Sequence, residues 1–199
     1  MATTPSPHEA LERLKAGNAR FVAGTPHTDP LDASVLELAS GQSPHAIVLG
    51  CSDSRVPIET IFDQAPGNVF VVRVAGNYLN DDIFGSIEFG VAALKARLIL
   101  VLGHTNCGAV TAAVAHARDG TAQPGHIAHL VAAIAPAAEA TRDFPGDWLA
   151  NATAENVRRT VQAMTAGSKI IGDAVSQGDA GVAGGIYELH TGRVNFFSS

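Results

Sequence analysis

The stretch Leu98-Ile99-Leu100-Val101-Leu102-Gly103-His104-Thr105-Asn106-Cys107 joins an apolar run to two potential metal ligands. A second run, Ala46-Ile47-Val48-Leu49-Gly50, leads directly into Cys51. Short continuous apolar runs are typical of strands buried on both faces of a parallel sheet. In such sheets, sites form outside the carboxyl ends of the strands. The two runs therefore predict an α/β fold with a site where the two strands end.

The remaining segments predict a mainly parallel β-sheet flanked by helices. Residues 69–75 form a further apolar strand, and residues 186–197 resemble a hairpin around His190-Thr191-Gly192-Arg193. The cluster Gly181–Gly185 precedes that hairpin and lacks the Lys-Ser/Thr of a phosphate-binding loop, so we do not interpret it as one. Helices are expected at about 82–96, 108–118, 125–140 and 153–177.

Length and charge limit the class of protein. A chain of 199 residues is expected to form a single domain, residues 1–199. Its net charge of −6 argues against nucleic acid or an anionic membrane as a partner. We find no signal peptide and no apolar run long enough to span a bilayer. The sequence therefore predicts a cytoplasmic protein.

The N-terminal segment predicts one helix after a short tail. Residues 1–7 are expected to be a flexible tail and residues 8–24 a helix that Ser6 caps and Glu9 completes as a capping box. The apolar face of this helix is narrow. It leaves two alternatives open, packing on its own core or on a neighbouring subunit. The apolar positions are Leu11, Leu14, Phe21 and Val22.

Both cysteines of the chain lie beside other potential ligands. Cys51, His104 and Cys107 offer two thiolates and an imidazole, which is a donor set typical of zinc. Three protein ligands leave one coordination position open, and an open position indicates catalytic rather than structural Zn²⁺. A Cys51–Cys107 disulfide is the main alternative, although disulfides are rare in reducing compartments. Inert buried thiols are the other.

Asp53 and Arg55 follow the first cysteine closely enough to act at the same metal. Asp53 can occupy the fourth position and close the site, or pair with Arg55 and leave the position to water. A solvent-facing ion pair without a role is the third possibility. Gly108 opens a helix after Cys107, where its N–H can point at a ligand oxygen or its size can simply allow close packing.

At these residues the chain resembles the β-class carbonic anhydrases. The resemblance extends from about Leu11 to Asn195 and depends on four motifs. It implies that Cys51, His104 and Cys107 bind zinc and that Asp53 and Arg55 form the catalytic pair. It also implies reversible hydration of CO2 to bicarbonate and a proton by zinc-bound hydroxide. The motifs are Cys51-Ser52-Asp53-Ser54-Arg55-Val56-Pro57, Val72-Arg73-Val74-Ala75-Gly76-Asn77, Gly85-Ser86-Ile87-Glu88 and Gly103-His104-Thr105-Asn106-Cys107-Gly108.

The resemblance also has implications for subgroup and assembly. Members of the family work as dimers or larger assemblies with active sites at subunit interfaces, so a homodimer or homotetramer is expected here. Gln42 matches a substrate-binding glutamine of the plant-like subgroup, with Gly108 and the aromatic Phe70 as further substrate contacts. No tryptophan stands at Val48 or Leu49, where the other subgroup carries one nearby. Phe89 replaces a tyrosine that many members carry.

Two other functions share parts of this pattern. The same fold and zinc can hydrate a CO2 analogue such as carbonyl sulfide or carbon disulfide, and nothing in the sequence separates these substrates. A structural or sensory zinc protein, in which Asp53 permanently fills the fourth position, is the non-catalytic alternative. Arg55 argues against it, because Arg55 gives the carboxylate another partner.

Overall fold

The sheet is built around the two apolar runs. A computed structural model describes residues 5–27 and 38–198. Within them, one sheet has the strand order β2-β1-β3-β4-β5. Strands β1 to β4 are parallel, and β5 is antiparallel to β4. The prediction of a mainly parallel α/β sheet is confirmed. The strands are β1 (Ala46–Gly50), β2 (Val69–Arg73), β3 (Leu98–His104), β4 (Gly181–Tyr187) and β5 (Val194–Ser198).

Helices connect these strands, and one of the predicted helices is divided. The predicted helix 153–177 begins earlier and is interrupted at Ser168, whose hydroxyl accepts a hydrogen bond from the Ile171 N–H and starts a new helix. The helices are α1 (Pro7–Ala23), α2 (Ile58–Ile61), α3 (Asp81–Ala92), α4 (Gly108–Asp119), α5 (Ile127–Ala140), α6 (Trp148–Gly167) and α7 (Lys169–Ser176), with a 3₁₀ turn at Leu38–Ser40.

The glycine cluster 181–185 is part of a strand, so the prediction that this strand starts at Ile186 was wrong. These residues form the first part of β4 beside β3. A Cβ on Gly184 would lie 2.6 Å from the Phe197 ring and 3.0 Å from Val157. Glycine therefore lets a helix and an aromatic ring approach the strand, which a pattern of side-chain hydrophobicity cannot reveal.

Helix α1 packs on the core of its own chain. It starts at Pro7 with the predicted capping box, in which Ser6 and Glu9 bond each other's backbone N–H. Ala10 and Leu14 are fully buried against the sheet. Packing of this helix on a neighbouring subunit stays a prediction. Of the predicted flexible tail 1–7, residues 1–4 lie outside the described residues.

Apolar side chains cover both faces of the sheet, and a separate cluster lies at its carboxyl edge. This separate cluster contains Cys51 and Cys107 together with Val110 of α4 and Ile134 of α5. Both cysteines are thus buried in an apolar environment where the strands end. No helix in the described part of the chain is long and apolar enough to cross a membrane.

Candidate active site

Three potential ligands converge at the carboxyl edge of the sheet. Cys51 directly follows β1, and His104 is the last residue of the neighbouring strand β3. Cys107 stands at the N-cap of α4. All three are buried, and their ligand atoms lie within 4.8 Å of one another. The sequence prediction that these residues meet at one site therefore matches the structure.

The geometry of the cluster fits a tetrahedral metal ion. Two thiolates at about 2.3 Å from one Zn²⁺ would be separated by about 3.8 Å, and the two Sγ atoms are 3.9 Å apart. The thiols are free, so they do not form the alternative disulfide. The Nδ1 atom of His104 donates to the Thr105 carbonyl at 2.9 Å, which leaves the lone pair on Nε2. Among the described residues this buried Nε2 has no hydrogen-bond partner, as expected for a ligand atom of a metal.

The charges of the two thiols also fit a cation. A hydrogen bond from Cys107, with help from nearby backbone N–H groups, lowers the pKa of Cys51 far below its ordinary value. The same contact and burial raise the pKa of Cys107. Two adjacent thiolates repel each other, so the second thiol does not ionise beside the first without a compensating charge. A divalent cation supplies it, since a coordinating thiol is deprotonated outright.

Residues 51–57 form an irregular loop after β1, the Cys51 loop, which is held by residues that are distant in sequence. The Arg73 guanidinium donates to the carbonyl of Cys51 at 2.9 Å and to that of Asp53 at 2.7 Å. The Gly76 N–H donates to the Cys51 sulfur at 3.3 Å. We define the segment Val74–Asn77, which carries Gly76, as the Gly76 loop. No role for Arg73 or Gly76 is predicted from the sequence, although Arg73 ends the strand beside Gly50.

Cys107 is held by the helix that follows it. The Cys107 carbonyl accepts hydrogen bonds from the Thr111 N–H at 2.9 Å and the Thr111 hydroxyl at 3.0 Å. The N–H groups at the start of the helix act to lower the pKa of the thiol, against the larger effects of Cys51 and burial. Gly108 is the first residue of α4 and is exposed, with no atom within 4 Å of the position of an added Cβ. Close packing therefore does not explain this glycine.

Asp53 and Arg55 form a two-armed ion pair beside the cluster. Arg55 Nε and Nη2 donate to the two Asp53 oxygens at 2.9 and 2.7 Å, and Nη2 also reaches the Asn106 carbonyl at 3.3 Å. These bonds from Arg55 hold the pKa of Asp53 well below its usual range. Asp53 Oδ2 lies 3.8 Å from His104 Nε2. The carboxylate therefore faces the cluster while it is engaged by Arg55, and it lies outside the three-ligand group.

Gln42 and Phe70 lie away from the cluster of their own chain. Gln42 is exposed and lines a hollow with Pro66 and Gly67, at the amino edge of the sheet. Strand β1, of five residues, separates it from Cys51 by about 16 Å. The Phe70 ring packs near Phe89, with ring centroids 6.2 Å apart. Phe70 pairs with Ile47, four residues before Cys51, so within the described chain neither Gln42 nor Phe70 lies beside the ligands.

Comparison with known proteins identifies the family. A family model described as carbonic anhydrase matches residues 46–194, well over half of the chain. The chain belongs to the β-class carbonic anhydrase family. Carbonic anhydrase 2 of Mycobacterium tuberculosis is 40% identical over 189 residues, covering 94% of this chain and 91% of that protein. A carbonic anhydrase of Mycolicibacterium smegmatis is 38% identical over 194 residues, covering 97% and 94%. The prediction of a carbonic anhydrase enzyme is confirmed.

Solved β-carbonic anhydrases share the fold. A tetrameric enzyme of Sordaria macrospora superposes with a TM-score of 0.74 at 26% identity, covering 96% of each chain. The Coccomyxa enzyme, solved with acetazolamide, gives a TM-score of 0.72 at 28% identity, covering 98% of this chain and 86% of that one. The single-chain fold described above is thus the fold of this enzyme class.

Proposed function

We propose that this carbonic anhydrase binds Zn²⁺ through Cys51, His104 and Cys107 and catalyses reversible hydration of CO2 to bicarbonate and a proton. The observation that carries the proposal is the cluster itself. The distance between the two sulfur atoms is that expected for two thiolates bound to one Zn²⁺. A buried imidazole nitrogen with no hydrogen-bond partner among the described residues lies within 4.8 Å of both. When bound, Zn²⁺ supplies a Lewis acid that brings the pKa of water to about 7 and so provides a nucleophile near neutral pH.

Asp53 prepares the nucleophile in this proposal. Its two oxygens are occupied by Arg55, which keeps the group ionised and turns Oδ2 toward His104. An ionised carboxylate can only accept hydrogen bonds, so it orients the proton of the attacking water and directs the oxygen lone pair at the substrate carbon. Engagement by Arg55 also argues against permanent closure of the site by Asp53.

The product is an anion, and the start of α4 suits it. The dipole of a helix favours negative charge at its N-terminus, and free N–H groups there can bind oxygen atoms. Gly108 is exposed at the first position of α4, next to the ligand Cys107. We assign the Gly108 N–H a contact with a substrate or product oxygen.

Gln42 and Phe70 require a second subunit in this proposal. They lie too far from the cluster of their own chain, so they contribute to the site only across an interface. A homodimer or homotetramer of the plant-like subgroup satisfies this requirement. The tetrameric Sordaria enzyme supports it by similarity. A cytoplasmic location stays a prediction.

Stopped-flow CO2 hydration at mildly alkaline pH tests the function on protein of verified zinc content. We expect rapid turnover that disappears when a chelator removes the zinc and returns when zinc is restored. A zinc-loaded protein without activity would contradict the proposal. Carbonyl sulfide hydrolysis by that inactive protein would favour the analogue substrate. A structure at the same pH with Asp53 on the metal would favour the closed, non-catalytic site.

A further inference from the structure

We propose that Asn156 of helix α6 is a positioning residue for the metal ligand Cys51. It acts through the Gly76 loop, by fixing the peptide groups from which the Gly76 N–H reaches the sulfur. This inference rests on the proposed zinc site and adds a residue that neither touches the metal nor stands near it in the sequence.

Helix α6 turns a polar stripe, rather than an apolar one, toward this loop. Thr153, Asn156 and Thr160 are 3%, 4% and 6% exposed, on a helix whose other inward positions include Val157 and Val161. Burying an amide costs free energy unless its hydrogen bonds are made. A buried asparagine in such a position therefore indicates a specific partner.

The partner of Asn156 is the Gly76 loop. Its side-chain nitrogen donates to the Gly76 carbonyl at 2.9 Å, across 80 residues of sequence and in a buried environment. Thr160 reaches the next carbonyl, that of Asn77, at the longer distance of 3.5 Å. The Gly76 N–H in turn donates to Cys51 Sγ at 3.3 Å. One residue of the loop thus connects the helix to the sulfur.

The loop needs such support because of its backbone conformation. Gly76 has φ +82° and Asn77 has φ +43°, two consecutive residues in the left-handed region. Asn77 carries a Cβ there, which costs free energy. Without a partner for the Gly76 carbonyl, an unpaired buried oxygen would add to this cost, and reorientation of the peptide to reach water would carry the N–H away from Cys51.

The expected consequence lies in the metal–sulfur bond. An N–H donated to a ligand thiolate orients the sulfur and withdraws electron density from it. Loss of such an outer contact typically weakens metal affinity by about 10- to 100-fold. It also leaves more electron density on the sulfur, so the charge-transfer absorption to a bound Co²⁺ moves to longer wavelength. We expect the lost orientation of the sulfur to outweigh its stronger donation in the affinity.

The test is a Co²⁺ and Zn²⁺ titration of the whole chain carrying Asn156→Leu, which keeps the size of the side chain and removes its donor. We expect affinity, measured by competition with a chelator, to fall about 10- to 100-fold. We also expect the sulfur-to-cobalt band to shift to longer wavelength. If the leucine variant does not fold, Asn156→Ala is measured in the same way.

Thr153→Val is the matched control. Thr153 is equally buried on the same face, but within the described part of the chain its hydroxyl donates only to the Leu149 carbonyl of its own helix. We expect this variant to keep the wild-type affinity and band position. An unchanged band and affinity in Asn156→Leu would overturn the inference while leaving the zinc site intact. Equal effects in both variants would also overturn it, by showing general loosening. Failure of the wild type to bind either metal would overturn the zinc proposal and the inference together.

Discussion

The loops that carry the two cysteines are held in different ways. Cys107 is the N-cap of α4, and its carbonyl accepts hydrogen bonds from the N–H and hydroxyl of Thr111, so the position of this ligand is encoded within a few residues. Cys51 has only irregular backbone after it. Arg73 and Gly76 hold it from the next strand and loop, and Asn156 supports that loop from a distant helix. One ligand therefore depends on local structure, and the other on the assembled fold.

This difference predicts where the site is sensitive. Substitutions remote in sequence should disturb the Cys51 loop and spare Cys107. The Cys51 loop also carries Asp53 and Arg55, so a disturbance there should reach catalysis as well as metal binding.

The largest expected effect is the same for both loops, because each carries a metal ligand. Cys51→Ser and Cys107→Ser should each lose the metal and essentially all CO2 hydration, because a three-ligand site cannot spare a thiolate. His104→Ala should behave in the same way. Zinc content by native mass spectrometry, measured beside stopped-flow rates, checks this. Full zinc occupancy in any of these variants would contradict the ligand assignment.

The next largest effect concerns turnover, because only the Cys51 loop carries the catalytic residue Asp53. Asp53→Ala should retain zinc and lose turnover by about 10²- to 10⁴-fold, the usual contribution of a positioned acid or base. Zinc content and kcat are measured on the same sample. Turnover at the wild-type rate would remove Asp53 from the mechanism.

Gly76→Ala should damage the Cys51 side of the site through the fold. Alanine at φ +82° costs about 1–2 kcal/mol. Its Cβ would also lie 2.4 Å from the Ile134 side chain, and such overpacking adds about 1–3 kcal/mol. We expect a loss of about 2–5 kcal/mol in the free energy of unfolding, with weaker zinc binding, measured by denaturant titration.

Gly120→Ala is the control for that substitution. Gly120 ends α4, has φ +73° and has no atom within 4 Å of an added Cβ. It should lose only the conformational part, about 1–2 kcal/mol, and keep its zinc. Equal losses at the two glycines would show that packing around Gly76 is unimportant.

Arg73→Lys should affect catalysis more than metal content. Lysine keeps the charge but cannot bond the carbonyls of Cys51 and Asp53 with two arms in a fixed geometry. Misplacement of Asp53 should lower kcat by about 10- to 100-fold. Steady-state kinetics with zinc analysis check this, and loss of zinc without any change in the rate per bound metal would contradict it.

The smallest expected effect concerns acid stability. Pairing with Arg55 lowers the folded-state pKa of Asp53, so the pair stabilises the fold above the unfolded-state pKa of about 3.9. That stabilisation is lost as the pH falls from there through the folded-state value. Urea titrations of the wild type and Arg55→Leu, both with chelator, should therefore differ at neutral pH and converge in strong acid. A difference that widens in acid would contradict this.

The local half of the site could be predicted from sequence, and the distant half could not. Apolar runs ending in Cys51 and His104 indicate buried strands, and the residues beside the two cysteines indicate a zinc centre. The roles of Arg73, Gly76 and Asn156 depend on strand order and helix packing, which no local pattern specifies. Strand β4 was shortened in the prediction because its glycines carry no hydrophobic signal. The location of Gln42 at the opposite edge likewise becomes clear only in three dimensions.

The unpartnered Nε2 of His104 makes the folded chain sensitive to metal supply. Without a cation, the folded chain buries a nitrogen that has no hydrogen bond and holds two thiols so close that they cannot both ionise. In the unfolded chain, water solvates all three groups. With zinc as the proposed ligand, mass action stabilises the native state by about 1.4 kcal/mol for each tenfold excess of free zinc over its Kd. The melting temperature of this enzyme should therefore report the zinc concentration around it, and scarcity of zinc should reduce the amount of folded protein as well as its activity.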